Sequence, residues 1–469
     1  MFSINHTKGV EQMKKKLVIL GAAALTVAAA VPAFAIENEF HGMYRLRAMM
    51  TNFQAAGNSP LLSNESRDFT LFEQRARLQY IAKANDDLKL VTHFEIDSSW
   101  GDAAYSNGRG IGGGLAADTV NLETKNVYLD FNVPSTPVNM KVGIQGFMDA
   151  YKGIFLFDDV AGAVATGKFG PATATAAFFR TYDSGSPNST PSTSGNVFGK
   201  RNVDLYVLDG KFAPSKAVTV GASYYLANND VNFSGQKTHT FGVNAAAKAG
   251  IADLDAFLIY QGGDELYKTA TNTGSAKNLS AFAGQVAAKV AVGPAAVRAA
   301  VLYASGDKGK DKDNSKAYQN IFASGAAGNA PGSSTSSGVY YSSNMLILMR
   351  NIVNMDSDQS LVSSINNGNR GLQAAFVGAD VKVNDKLSAS VNIGHAFVDK
   401  RDMTSTAKEA TTNKNIGTEF NANVNYALYP NLTATLQGGY ALLGGYTKAG
   451  AVKDVKDPYL AGLMMNYTF

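Results

Sequence analysis

The sequence predicts an all-β chain that closes into a transmembrane antiparallel β-barrel of about 18 strands. Three observations carry this expectation. Apolar and polar residues alternate with period two almost everywhere after Ile36. Short turns and long polar connections alternate along the chain. The chain ends on a ten-residue alternating strand whose last residue is the aromatic Phe469. Strand residues point to opposite faces in turn. A single-chain barrel in a bacterial outer membrane needs an even strand count, with short turns at one end and long loops at the other.

Composition narrows the alternatives. The 469 residues include 46 Gly, 25 Phe and 21 Tyr against 1 Trp, which suits strands and turns. Beyond residue 35 no apolar run reaches the length a spanning helix needs. Cysteine is absent, which excludes disulfides, thiolate metal sites and covalent haem attachment together. Met13-Lys14-Lys15-Lys16, the apolar stretch Leu17 to Val31 and the small-x-small Ala33-Phe34-Ala35 match a secretory signal peptide over residues 1–35, with Met13 the expected start. Its removal takes away four Lys and one Glu, leaving 38 basic and 37 acidic residues. So balanced a chain gives no support to nucleic-acid binding.

The alternation holds from end to end. On the first strand Phe40, Gly42, Tyr44, Leu46 and Ala48 oppose His41, Arg45 and Arg47. Phe72, Ala76, Leu78 and Tyr80 oppose Glu73, Arg75, Arg77 and Gln79. Leu88, Leu90, Phe94 and Ile96 oppose Lys89, His93, Glu95 and Asp97. Near the end, Ala422, Val424 and Tyr426 oppose Glu419, Asn421, Asn423 and Asn425. In a soluble sandwich the apolar face would be a core; in a membrane barrel it meets lipid and the polar face lines the lumen. Tyr44, Tyr80, Tyr128 and Tyr440 are expected at the membrane interfaces.

Short turns rich in Pro, Gly, Asn or Asp fall at Ala84–Asp87, Pro134–Pro137, Lys168–Pro171, Ala213–Lys216, Ala249–Ala252, Val292–Pro294, Asn384–Asp385 and Tyr429–Asn431. Long connections lie near 51–68, 100–120, 147–160, 181–200, 228–237, 262–278, 305–370, 399–414 and 446–457. Together they give eighteen strands, or sixteen if the two short strands around Lys168–Pro171 do not form. Within the 305–370 connection, Met345-Leu346-Ile347-Leu348-Met349 is unusually apolar for a loop. It reads as a short helix in the barrel mouth, a contact with a partner copy, or a further element.

On the closing strand Tyr459, Leu463, Met465, Tyr467 and Phe469 share one face. This end is similar to the C-terminal assembly signal of outer-membrane barrels. With it, the chain resembles the porins of Gram-negative outer membranes. The segment Glu37 to Arg47 looks more narrowly like outer-membrane channel proteins of metal-reducing bacteria. The resemblance implies residence in the outer-membrane lipid, insertion by the barrel-assembly machinery through Tyr467 and Phe469, a homotrimer, and a third external loop folded inward. Here that loop is 147–160, carrying Asp149, Asp158 and Asp159.

The charged lumen residues expected at the constriction are Arg45, Arg47, Arg75, Arg77, Glu73, Glu95, Asp97, Asp149, Asp158 and Asp159. Four guanidiniums facing three loop carboxylates would set a field across a narrow pore; the plainer alternative is that the arginines solvate the wall and pair with Glu73. His93, Glu95 and Asp97 share a face but do not make a converging metal site, and the histidines lie in no nucleophile context. No cofactor, metal or catalysis is expected. The function read from the sequence is passive diffusion of small hydrophilic solutes or ions. The alternative is a barrel that sheathes electron-transfer cytochromes.

Overall fold

The computed structural model describes residues 36–469 except 57–58, 62–67, 102–112, 116–121, 184–201, 231–234, 267–276, 322–342, 350–359, 363, 402–411 and 450–454. The predicted leader, 1–35, lies outside the described residues. Eighteen long strands form the wall. They are β1 (Glu37–Thr51), β2 (Phe69–Asn85), β3 (Leu88–Ser99), β4 (Glu123–Asn132), β5 (Val138–Met148) and β6 (Phe157–Phe169). Next come β7 (Ala172–Asp183), β8 (Asn202–Ser215), β9 (Val218–Asn229), β10 (Gln236–Ala249), β11 (Ala252–Asp264) and β12 (Asn278–Val292). The last six are β13 (Ala295–Ala304), β14 (Leu372–Lys382), β15 (Leu387–Phe397), β16 (Asn415–Tyr429), β17 (Leu432–Leu443) and β18 (Tyr459–Thr468). Smaller pieces sit in the connections: a hairpin of Gln54–Ala56 with Ser59–Leu61, the pair Asn314–Ser315 and a helical turn Gly445–Ala449.

Each wall strand pairs antiparallel with the next, and β1 pairs with β18 as well as β2, so the sheet closes. Closure matters because a strand edge in hydrocarbon would leave N–H and C=O groups without partners. The short turns join β2 to β3, β4 to β5, and so on to β16 and β17, at the end where β1 begins and β18 finishes. Around Lys168–Pro171 the chain turns on Gly170, whose φ of 61° suits glycine. Both β6 and β7 therefore form, which decides for eighteen strands over sixteen.

Burial is inverted relative to a soluble fold. Phe40, Leu78, Leu90, Leu129, Leu208, Leu258, Val301, Ile393 and Leu436 are exposed on the outer face. Arg47, Glu73, Arg75, Glu95, Asp97, Gln285 and Glu419 are buried within. Charged residues inside and aliphatic residues outside on strand after strand are stable only where the outer solvent is lipid. Tyr44, Tyr80 and Tyr440 lie on that outer face, and Tyr80 packs on Phe40 with ring centroids 5.1 Å apart. Tyr128 does not. It pairs with Gly143, on the opposite face from the exposed Val127 and Leu129, and Lys141 Nζ sits 5.6 Å from its ring centroid. A bulge at His93/Phe94 shifts the register where β4 begins.

The first and last wall strands meet at the seam. Gly42 N–H donates to the Phe469 carbonyl at 2.9 Å, and Phe469 N–H returns a bond to Gly42 at 3.0 Å. The Phe469 ring lies where a side chain at Gly42 would stand, so the close approach requires glycine there. Tyr467 stacks beside Phe469 at 5.7 Å, and both rings are exposed on the outer face.

Candidate functional site

Among the described residues two connections turn into the barrel, and each is held by one buried carboxylate. The first is 149–156, between β5 and β6. Asp149 is buried and accepts backbone N–H bonds from Tyr151 (2.6 Å), Gly153 (2.9 Å), Phe155 (2.6 Å) and Leu156 (2.7 Å). Burial pushes its carboxyl up to about 6, against the opposite pull of those four donors. Positive φ at Lys152 (63°) and Gly153 (81°) tightens the turn. Tyr151, Ile154, Phe155 and Leu156 are buried in one cluster with Phe179, Leu205, Tyr225 and Phe257 of β7, β8, β9 and β11. The Phe155 and Tyr225 rings stack at 5.3 Å, and Tyr225 Oη donates to Asp209 at 2.9 Å. Gly242 leaves the space that the Tyr151 hydroxyl fills.

This geometry differs from the expected constriction in two ways. β5 runs to Met148 and β6 starts at Phe157, so Asp158 and Asp159 belong to a strand and not to the loop. The hydrogen bonds of the Met148–Phe157 end extend the ladder further than the sequence pattern suggested. Asp159 accepts from Lys125 Nζ (2.6 Å) and Asn126 Nδ2 (2.8 Å), and the Asp159 N–H donates to Asp158 Oδ1 at 2.8 Å. Asp149, the carboxylate that does lie in the loop, is spent on its own backbone.

The second inward connection joins β13 to β14. Met345 to Met349 forms no helix; it runs buried through the interior. Glu419 of β16, fully buried, accepts the N–H groups of Leu346 (2.7 Å), Ile347 (2.9 Å) and Leu348 (2.6 Å), and Asn421 Nδ2 at 2.7 Å. Leu346 and Ile347 share a cluster with Met49, Phe53, Ala441, Leu443 and Leu460. Gly394 of β15 leaves room for the Met345 sulfur. Lower down, Gln319 and Gln261 exchange two bonds, 2.8 and 2.7 Å. The two inward connections touch where Ile321 N–H donates to the Phe155 carbonyl at 2.8 Å.

The arginines lie on the lumen face as a ladder with acids of the neighbouring strand. Arg47 donates to Glu73 at 2.5 Å, Arg75 grips Asp97 with two bonds of 2.6 Å, and Arg77 bonds Glu95. Arg45, Arg47, Glu73, Arg75, Glu95 and Asp97 are all buried, none more than 7% exposed. The same pairing recurs around the wall: Arg180 with Asp204, Arg298 with Asp380 and Lys89 with Asp130. The guanidiniums thus pair along the wall instead of facing loop carboxylates across the pore. Glu95 and Asp97 are engaged by arginine, and His93 contacts Asn126 at 3.4 Å, so the three do not converge on one point. Sequence reasoning did not single out Glu419. Its only signal was one carboxylate among the asparagines of its strand face.

No family model and no curated protein matches this chain. Solved structures do. Acinetobacter baumannii OccAB4 matches with a TM-score of 0.54 at 13% identity, over 93% of this chain and 100% of that one. A. baumannii OccAB1 matches with a TM-score of 0.53 at 12% identity, over 94% and 98%. The outer membrane protein opdK of Pseudomonas aeruginosa matches with a TM-score of 0.52 at 11% identity, over 92% and 99%. The chain therefore has the fold of outer-membrane porins, a closed 18-strand barrel. The cytochrome-sheath alternative gains no support from these comparisons.

Proposed function

We propose that this chain is a non-enzymatic porin that lets small hydrophilic solutes or ions diffuse across the outer membrane. The observation that carries this reading is the inverted wall: apolar residues face lipid on every side while paired charges line the lumen. The inward 149–156 and 343–349 segments act as the constriction, and solutes pass the partly exposed charges Arg77, Lys125, Asp159, Arg298 and Asp380. Because these charges sit in opposite pairs, selectivity between anions and cations is weak. Recognition of the exposed Tyr467 and Phe469 by the barrel-assembly machinery, and assembly as a homotrimer, belong to the same reading.

The test is single-channel conductance of the refolded mature chain in a planar bilayer with a salt gradient. Stable steps with a reversal potential near zero are expected. A heat-modifiable, folded barrel that passes no current would overturn the reading.

A further inference from the structure

The charged ladder does not balance. Among the described residues its four guanidiniums, Arg45, Arg47, Arg75 and Arg77, meet three carboxylates, Glu73, Glu95 and Asp97. Register explains which one is left over. Arg47 stands opposite Glu73 across β1 and β2, but Arg45 stands opposite Arg75. On its other side Arg45 faces Asn466 of β18, which carries no charge. Like charges directly opposite one another in a sheet repel.

Arg75 is relieved by the two bonds to Asp97. Arg45 is not: its Nε and Nη2 have no hydrogen-bond partner among the described residues, and its side chain is only 7% exposed. A buried guanidinium beside three others, with donors unspent, is costly unless an anion accompanies it. Guanidinium is always charged, so the site cannot relieve itself by losing a proton, and its planar fork suits a halide or a small carboxylate.

We propose that Arg45 holds a small monovalent anion, exchangeable with the surrounding salt, which completes the charge balance of the ladder. This site concerns the stability of the wall, so its test does not depend on conduction. The experiment compares thermal unfolding of the detergent-refolded mature chain in chloride, formate and gluconate at equal ionic strength.

For the native chain the unfolding midpoint should lie about 2 to 4 °C higher in chloride or formate than in gluconate, which is too large for a buried site. Arg45→Gln should show no difference among the salts, and Arg45→Lys, which keeps the charge without the fork, a smaller one. A chloride response alone identifies an inorganic counter-ion; a formate response alone identifies the carboxylate of a solute; either supports the site. Equal midpoints in all three salts, or an anion response that survives in Arg45→Gln, would overturn it. Should Arg45→Gln fail to fold, 35Cl line broadening by the native barrel, reversed by formate, tests the same claim, and no broadening above that of the unfolded chain rejects it.

Discussion

The two inward connections use the same device over very different distances. In 149–156 the carboxylate of Asp149 accepts N–H groups two, four, six and seven residues further on. In 343–349 the carboxylate of Glu419 accepts three N–H groups from residues more than seventy positions away, separations of 73, 72 and 71. The first is a self-contained turn that docks on the wall by its aromatic side chains. The second has no structure of its own to offer and takes its shape from β16. A backbone segment inside a barrel must satisfy its donors, and one carboxylate serves either three or four of them. The short connection carries that acceptor with it; the long one borrows it.

The comparison breaks first at Asp149. Asp149→Ala leaves four buried N–H groups without their acceptor, and the 149–156 segment should lose about 3 to 5 kcal/mol of local stability. Hydrogen exchange at Tyr151, Gly153, Phe155 and Leu156 reads this directly, with the amides of 346–348 little changed. Glu419→Gln weakens three bonds, for a local loss of about 2 to 3 kcal/mol. Exchange at Leu346, Ile347 and Leu348 should rise about 30-fold or more, and single-channel conductance should increase as the apolar segment leaves the interior. If either variant loosens both connections equally, they form one unit and the distinction between local and borrowed pinning fails.

Acidity sharpens the same contrast by a smaller amount. The carboxyl of Asp149 lies at about 6, above the ordinary carboxylate range, because burial outweighs its four donors. The folded segment therefore holds its proton more tightly than the unfolded chain does. Its protection should be greatest below about pH 4 and decline as pH rises through about 6, by up to about 3 kcal/mol. Asp149→Asn should flatten that profile; a rise in protection with pH would reverse the sign and reject the account.

The smallest expected effects come from the glycine recesses. Gly242→Ala intrudes on Tyr151 and Gly394→Ala on Met345. Each should cost about 1 to 2 kcal/mol by overpacking, confined to its own connection. Urea midpoints of the two single variants and the double variant measure this, with additivity expected because the sites share no partner.

Much of the wall was legible in the sequence because strands and hairpins are local. Period two assigned each face, and the eight short turns fell where Pro, Gly, Asn and Asp cluster, including the uncertain pair that flanks Gly170. The lumen was less legible. Arg45, Arg47, Arg75 and Arg77 share one face by parity, but parity is silent on register, and register decides that Arg47 meets Glu73 while Arg45 meets Arg75. Tyr128 was misassigned although its own alternation places it inside: Val127 and Leu129 take the outer face, and Tyr128 shares the other with Asn126 and Asp130.

What the sequence determined by itself was the alternation, the turn positions and the closing strand, each a property of a few adjacent residues. It did not determine which face meets lipid, since an alternating strand serves a soluble sandwich as well. Closure of β1 on β18 decided that, because it leaves the apolar face outside. Only the tertiary structure decided where Met345 to Met349 lies, since its acceptor Glu419 and its recess at Gly394 come from other strands. Contacts so remote in the chain leave no periodic trace in it, and they exist only once the barrel has closed around them.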